Sequence, residues 1–246
     1  MREWLVARPV AHRGLHDAAA GIIENTPSAF KAAVAANYAI ECDIQISADG
    51  EAMVFHDHTL DRLTEASGRV DAFTAAELKR VAFRATADRM ITLGELCDLA
   101  AGQAALFVEI KSRFDGDLRP VTRAAEVLAG YSGHAALMSF DPAPIAALQT
   151  LAPRLPRGIV AERRSTHSEG NPLPARTKHA LAYFHRALRS RPQFIAYSVA
   201  DLPSAIPWLA RNLLRVPLLT WTVRTDVDRK RAARYADQMI FEGFRP

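Results

Sequence analysis

Cysteine is scarce in this chain, with two among 246 residues. Cys42 and Cys97 alone cannot build a disulfide framework or a zinc site with four thiolate ligands, and we expect both to be reduced, buried thiols. Long apolar runs are also absent. No stretch approaches the about 20 apolar residues that cross a bilayer, and residues 1–14 lack the apolar core of a signal peptide. The sequence therefore predicts a soluble, cytoplasmic protein without an integral membrane segment.

Runs of like charge are missing as well, although the formal net charge is +4 at pH 7. The arginines are dispersed along the chain, which argues against an extended basic surface for nucleic acid. A mildly positive field suits a small anionic substrate equally well. We therefore expect a small-molecule substrate and no nucleic-acid partner, while the sequence leaves a homo-oligomer open.

The apolar residues, 49% of the chain, are enough to bury one core, and we expect a single domain over residues 1–246. Short runs rich in β-branched and aromatic residues alternate with helix-like segments, which is typical of repeated βα units. Nine strands are predicted near Pro9–Arg13, Ala39–Ser47, Met53–Asp57, Ala105–Lys111, Ala135–Phe140, Gly158–Glu162, Phe194–Val199, Leu218–Val223 and Gln238–Glu242. The predicted helices are Pro27–Asn37, Thr74–Val81, Leu93–Ala101, Pro120–Ala129, Pro142–Leu151, Ala175–Arg189, Leu202–Arg211 and Asp226–Tyr235.

One strand pair breaks this βα rhythm. The runs 40–47 and 51–57 are joined by Asp49-Gly50, a two-residue hairpin signal that is too short for a parallel crossover. The strand near Met53–Asp57 should therefore run antiparallel to its predecessor. Eight strands then remain for a parallel ring, so the sequence predicts an α/β fold with a closed (β/α)8 barrel.

The segment Arg163–Lys178 is polar, rich in turn-forming residues and follows a predicted strand. It should form a long loop at the carboxyl-terminal mouth of the barrel, where such loops often shape the active site. Its composition fits a solvated excursion without a role in binding equally well.

Two acidic residues lie on one face of a predicted strand. Glu41 and Asp43 are two positions apart, so their carboxylates project together while Cys42 points the other way. Burial of both acids requires a cation, hydrogen bonds or raised pKa values. With Asp49-Gly50 as the hairpin loop, the numbers of opposed positions sum to 99, which would place Asp43 opposite His56.

Two other strands carry complementary groups. Glu109 and Lys111 share a face of their strand, and His12 and Arg13 end the first strand. Three carboxylates without a thiolate favour Mg2+ or Ca2+ over zinc. We expect Glu41, Asp43 and Glu109 to bind the ion.

The positive groups and the histidines would complete a site for phosphoester chemistry. Arg13 and Lys111 would neutralise a phosphate, and His12 and His56 would serve as acid and base. Singly, each has a structural alternative: the acids and Lys111 could form ion pairs, and His12 could be a hydrogen-bonded core residue. Their convergence at one barrel mouth favours the functional interpretation.

These residues resemble the motifs of the glycerophosphodiester phosphodiesterase family. The matching segments are His12-Arg13-Gly14, Glu24-Asn25-Thr26, Glu41-x-Asp43, Asp49-Gly50, His56-Asp57 and Glu109-x-Lys111. The similarity is strong over about residues 9–112 and returns at Ser139-Phe140 and Trp221-Thr222-Val223. It implies a distorted TIM barrel with a small insertion after the His56-Asp57 motif, at about Thr59–Arg89.

The resemblance also implies hydrolysis of glycerophosphodiesters to sn-glycerol 3-phosphate and an alcohol, with the metal, phosphate and acid/base roles already given. Trp221 resembles an aromatic that packs against substrate, although a core tryptophan fits as well. Glu24 and Asn25 resemble groups that support the site, although helix capping by Asn25 and Thr26, before Pro27, is an equal explanation.

The chain departs from the family pattern in two places. Residues 16–21 form an unusual segment, and Phe241-Glu242 stands where the family usually has Thr-Asp. Neither departure involves the expected metal ligands, so both bear on the substrate. Three alternatives remain: a lysophospholipase D-type lipid phosphodiesterase, a non-catalytic barrel that binds phosphorylated ligands, and an arginine-rich nucleic-acid-binding protein.

Overall fold

Eight parallel strands close into a barrel in the computed structural model, which describes residues 3–163 and 187–246. The ring closes because β1 pairs with both β2 and β9. A further strand, β3, runs antiparallel to β2 at the edge of the sheet. The strands are β1 (Val10–Ala11), β2 (Ala39–Ile46), β3 (Ala52–Val54), β4 (Leu106–Ile110), β5 (Ala135–Ser139), β6 (Arg157–Ala161), β7 (Phe194–Ser198), β8 (Leu218–Val223) and β9 (Gln238–Phe241). The predicted TIM barrel with an antiparallel hairpin strand is confirmed.

Helices connect the strands and cover the outside of the barrel. They are α1 (Pro27–Ala35), α2 (Ala75–Leu78), α3 (Leu93–Ala100), α4 (Arg119–Leu128), α5 (Pro142–Leu151), α6 (Ala187–Ser190), α7 (Ala205–Asn212) and α8 (Asp226–Tyr235). Capping boxes start α3 and α8, where Thr92 and Thr225 accept a backbone hydrogen bond in the first turn. The predicted loop Arg163–Lys178 lies outside the described residues apart from Arg163, as does most of the predicted helix Ala175–Arg189. No helix in the described parts of the chain has the length and apolar character to cross a membrane.

Two local predictions were wrong. Helix α1 begins at Pro27 and Thr26 occupies its N-cap position as expected, but the Thr26 side chain accepts no backbone hydrogen bond from the helix and instead donates to the carbonyl of Ile23 at 2.7 Å. Cys42 is buried, whereas Cys97 is only half-buried on α3. Both thiols are free.

The period-two alternation of the strands separates two apolar layers. Val10, Phe107 and Val160 lie in the layer that fills the barrel interior, whereas Cys42 and Ile44 belong to the layer between the strands and the helices. The ring of Trp4 stacks on His134, just before β5, with centroids 4.9 Å apart. Aromatic packing thus closes the amino-terminal end of the barrel, and the carboxyl-terminal end is left for polar groups.

The chain between β3 and α3 forms the expected insertion. Isolated bridges pair Thr59 with Arg69 and Thr64 with Phe83. The short helix α2 lies in the sequence between Arg69 and Phe83. The segment packs its own apolar cluster against one face of β3. The members of that cluster are Met53, Phe55, Leu60, Val70, Leu78, Phe83 and Met90.

The predicted register of the β2–β3 hairpin was wrong by one residue. Ile44 pairs with Val54 and Ile46 with Ala52, so the numbers of opposed positions sum to 98. The loop has three residues because the backbone N–H of Ser47 donates to Glu51, and Gly50 takes a φ of 83°. Asp43 therefore faces Phe55, and His56 lies beyond the end of β3.

A close contact in the barrel interior gives a test of its packing. A Cβ on Gly158 of β6 would lie 2.3 Å from the ring of Phe194, inside the barrel. We expect Gly158→Ala to lower the free energy of unfolding by about 1–3 kcal/mol, the usual cost of overpacking. The measurement is urea unfolding followed by circular dichroism.

Gly94→Ala is the matched control, because its nearest neighbour would be a side-chain oxygen of Thr92 at 3.7 Å and Gly94 is helical. This variant should be as stable as the wild type or about 0.5–1 kcal/mol more stable. Equal unfolding midpoints for Gly158→Ala and the wild type would contradict the packing of β6 against β7.

Candidate active site

A cavity of about 370 Å³ opens at the carboxyl-terminal ends of the barrel strands. One side carries acidic, basic and imidazole groups, and the other side is apolar. The polar lining includes His12, Arg13, Glu41, His56, Asp57, His58, Arg62, Glu109, Lys111 and Arg224. The apolar lining includes Ile110, Phe114, Met138, Phe140, Val160, Trp221 and Ile240.

Three buried carboxylates meet on the polar side. Glu41 and Asp43 come from β2, and Glu109 comes from β4, where it is the parallel partner of Asp43. One carboxylate oxygen of each lies within 4.8 Å of those of the other two. The structure thus brings together the three acids that the sequence grouped as candidate metal ligands.

The surroundings of Glu41 show that the negative charge of the three acids is not fully balanced. Burial, together with the charges of Asp43 and Glu109, raises its pKa well above the ordinary value. Its Oε1 atom is buried without a hydrogen-bond partner in the described part of the chain, while Oε2 accepts the backbone N–H of Arg13 at 2.8 Å. A divalent cation among the three acids would satisfy this oxygen and remove the repulsion, so the residues present fit a metal ion.

Two basic side chains partly balance the acids. Lys111 Nζ lies 2.8 Å from Asp43 Oδ1 and 2.7 Å from Glu109 Oε1. Arg13 Nε lies 3.3 Å from Asp43 Oδ2. Burial by itself would lower the pKa of both bases, but the neighbouring carboxylates outweigh it and raise each pKa, so both stay charged. Burial would raise the pKa of Asp43, but nearby positive charges, of which Lys111 has the largest effect, outweigh it and hold the pKa below its ordinary value.

The turn after β1 delivers Arg13 and Asn25 to these acids. Arg13 and Asn25 have positive φ angles of 56° and 57°, and the N–H of Asn25 donates to the carbonyl of Arg13. The Asn25 side chain then donates to Asp43 Oδ2 at 2.9 Å and accepts from the Asp43 backbone N–H at 3.2 Å. A Cβ on Gly14 would be 2.9 Å from Ala29, so this close turn requires glycine. Asn25 therefore orients Asp43 and does not cap α1.

Each candidate acid/base histidine is bound by a carboxylate through its Nδ1 atom. His12 Nδ1 lies 2.5 Å from Glu242 Oε2, and His56 Nδ1 lies 2.7 Å from Asp57 Oδ1. Such a contact favours the tautomer with the proton on Nδ1 and leaves Nε2 for chemistry. His12 Nε2 is 3.9 Å from Glu41 Oε2. Burial lowers the pKa of His12 to about 4, despite the hydrogen bond to Glu242.

The two halves of the site are joined through Arg62, which the sequence did not single out. Its guanidinium donates to Glu24 Oε1 at 2.7 Å and to Asp57 Oδ2 at 2.6 Å. Glu24 in turn accepts from Arg13 Nη1 at 2.7 Å. Arg62 lies in the insertion. This segment therefore connects Glu24, which binds Arg13, with Asp57, which binds His56.

Glu242 is a second residue that sequence reasoning left without a role. It directly follows β9, and its carboxylate contacts His12, Arg224 Nε at 2.5 Å, and His16 Nε2 at 3.6 Å. A polar residue directly after a barrel strand was the signal that could have identified it. The Phe241-Glu242 departure therefore still supplies a carboxylate to the site.

Trp221 on β8 faces the apolar side of the cavity. Its indole N–H donates to the carbonyl of Ala196 at 3.1 Å, and its ring meets Phe140 edge-on with centroids 5.5 Å apart. The residue is half-buried, so it packs in the barrel wall and also borders the cavity.

Comparisons with known proteins point to one family. The model of the glycerophosphoryl diester phosphodiesterase family matches residues 12–243. A probable glycerophosphodiester phosphodiesterase 1 of Mycobacterium tuberculosis is 27% identical over 225 residues, covering 81% of this chain and 80% of the relative. A glycerophosphodiester phosphodiesterase of Caldanaerobacter subterraneus is 36% identical, but the match spans only 42% of this chain and 44% of the relative.

Solved structures match over nearly the whole chain. A phosphodiesterase from Oleispira antarctica, in complex with the product sn-glycerol-3-phosphate, superposes with a TM-score of 0.77, 18% identity and coverage of 97% of this chain and 93% of that one. A putative glycerophosphoryl diester phosphodiesterase from Silicibacter pomeroyi gives 0.72, with 25% identity and coverage of 96% and 90%. The fold is that of a TIM-barrel phosphodiesterase. The chain belongs to the glycerophosphoryl diester phosphodiesterase family.

The ion pairs of Glu24 give a prediction about acid stability. Burial would raise the pKa of Glu24, but hydrogen bonds from Arg62 and the charge of Arg13 outweigh it and lower the pKa to about 2. The stability that the charged form provides is complete above the ordinary pKa of 4.5 and is lost as the pH falls toward 2. Glu24→Gln should therefore unfold at lower urea than the wild type at pH 7, and the difference should shrink as the pH falls below about 5.

Glu65→Gln is the control, since the Glu65 side chain is exposed and lies 3.8 Å from Arg84. Its unfolding free energy should stay within about 0.5 kcal/mol of the wild type, as for ordinary surface changes. A difference for Glu24→Gln that is constant from pH 7 to pH 3 would show that the charge of Glu24 does not stabilise the fold.

Proposed function

We propose that this chain hydrolyses glycerophosphodiesters to sn-glycerol 3-phosphate and an alcohol with the help of one divalent cation. The observation that carries this proposal is the meeting of three buried carboxylates with two carboxylate-bound histidines in one cavity. Family membership and the product bound in the Oleispira antarctica structure support the choice of substrate class.

Glu41, Asp43 and Glu109 would hold the cation. Their all-oxygen donor set and the unpartnered Oε1 of Glu41 suit a hard ion, either Mg2+ or Ca2+. When bound, the ion supplies a positive centre that polarises a phosphoryl oxygen.

Arg13 and Lys111 would bind the phosphate. Both line the cavity and both stay protonated, because the surrounding carboxylates raise their pKa values. Their positive charge would neutralise the negative charge that grows on the phosphoryl oxygens during the reaction, and such preorganised charge is an effective source of transition-state stabilisation.

His12 and His56 would transfer the protons. One imidazole accepts the proton of the attacking hydroxyl through Nε2, and the other donates a proton to the oxygen of the departing alcohol. Glu242 and Asp57 keep the two rings oriented through Nδ1. The attacking oxygen belongs either to water or to the glycerol of the substrate, and the second route passes through a cyclic phosphate. Trp221 would border the bound substrate.

The test is release of glycerol 3-phosphate by chelator-treated protein before and after addition of Mg2+ or Ca2+. We expect turnover only with a metal ion, and a fall in kcat of about 10²–10⁴-fold in His12→Ala and in His56→Ala. Glu109→Gln should need a higher metal concentration for half-maximal rate. Phosphorus NMR of the same reactions would reveal a cyclic product or exclude it.

Glu51→Gln is the matched control for Glu109→Gln, because Glu51 pairs with Arg123 and does not line the cavity. It should retain wild-type kinetics. The substrate panel would include glycerophosphocholine, glycerophosphoethanolamine and micelles of lysophosphatidylcholine. Turnover of micelles alone would favour a lysophospholipase D, and folded, metal-binding protein without any turnover would argue for a binding role.

A further inference from the structure

A second group of potential metal ligands lies on the other side of His12. His12, His16 and Glu242 each offer a ligand atom within 4.8 Å of the other two. His12 separates this group from the three-carboxylate cluster, because its Nε2 faces Glu41 and its Nδ1 faces Glu242. His16 comes from the segment of residues 16–21, where the chain departs from the family pattern.

The Nε2 atom of His16 faces the carboxylate of Glu242 without a close hydrogen bond to it. The atom is shielded from solvent on an otherwise half-buried side chain and has no hydrogen-bond partner among the described residues, since Glu242 Oε2 lies 3.6 Å away, just beyond ordinary hydrogen-bonding distance. Buried polar atoms are rarely left unpaired, because the loss of hydration is then not compensated. A ligand bound between this nitrogen and the carboxylate would give the nitrogen a partner.

We propose that His12, His16 and Glu242 form an inhibitory site for Zn2+, distinct from the carboxylate site of the proposed activity. Two imidazoles and one carboxylate, with a fourth position for water, form a donor set that zinc favours. The three-carboxylate cluster offers only oxygen, which suits Mg2+ or Ca2+. The two neighbouring sites would therefore select different ions by the chemistry of their donors.

Zinc binding requires a small rearrangement. Two ligand atoms at tetrahedral positions around zinc are about 3.4 Å apart, whereas His12 Nδ1 and Glu242 Oε2 are 2.5 Å apart. The carboxylate must therefore withdraw by about 1 Å, and the single proton of the neutral His12 imidazole must move from Nδ1 to Nε2 by exchange with solvent. Arg224 binds the other oxygen of Glu242, so it would keep the carboxylate near the site after this shift.

The inhibition follows from the chemistry of His12, and this part of the inference rests on the proposed function. With zinc on Nδ1, the single proton of the neutral imidazole is on Nε2. The imidazole can then neither accept a proton from the attacking hydroxyl nor lose and regain one in each turnover. Catalysis would stop whether His12 acts as the base or as the acid.

The first experiment measures Zn2+ binding to the intact protein in saturating Mg2+, by competition with a chromophoric chelator. Co2+ as a second probe should give the visible absorption of a tetrahedral ion with nitrogen ligands. In His16→Ala we expect zinc affinity to fall at least as much as the roughly 10–100-fold caused by loss of an outer-shell partner. His58→Ala is the matched control, because His58 lines the cavity outside this cluster.

Zinc should also inhibit glycerol 3-phosphate release by the wild type and by His58→Ala, and far less by His16→Ala. The proposal is wrong if His16→Ala binds zinc as tightly as the wild type, or if His58→Ala loses as much affinity. It is also wrong if added Mg2+ displaces zinc in proportion to its concentration, because the ion would then occupy the carboxylate site. The binding measurements decide the matter even if no diester is turned over.

Discussion

The mutual repulsion of Glu41, Asp43 and Glu109 is the constraint on which the rest of the site depends. Three carboxylates are buried side by side at the mouth of the barrel, so their negative charge must be compensated by nearby positive charges. Lys111 supplies such a charge from the strand of Glu109, and Arg13 from the end of β1. One oxygen of Glu41 has no partner among residues 3–163 and 187–246, so the groups described there do not fully balance the charge of the three acids.

That constraint explains the backbone around the site. A sharp turn after β1 is needed to bring both the Arg13 N–H and the Asn25 amide to the acids, and both residues accept a left-handed conformation there. Such conformations cost free energy and persist where surrounding contacts fix them. Glu24 accepts a hydrogen bond from Arg13 and is itself bound by Arg62. These contacts keep the charge of Arg13 close to Asp43.

The sequence revealed the barrel and much of the polar side of the cavity because both depend on short-range rules. Alternation along a strand placed Glu41 and Asp43 together, and the ends of parallel strands placed them near Glu109. The hairpin register failed because the hydroxyl of Ser47 binds Asp49 and the N–H of Glu51, which gives a three-residue loop. The roles of Glu242 and Arg62 were missed because each binds a residue that is distant in the chain. Glu242 and His12 are 230 positions apart, and Arg62 and Glu24 are 38 positions apart, so no local pattern pairs them.

The bridge made by Arg62 has an evolutionary consequence. One guanidinium holds carboxylates from two different segments, Glu24 after β1 and Asp57 after β3, so these three positions are not free to diverge separately. Replacement of Arg62 alone would leave two partly buried acids facing each other across the cavity rim. Among relatives that keep this insertion, residues 24, 57 and 62 should therefore covary, whereas the apolar interior of the insertion can change as long as its volume is kept.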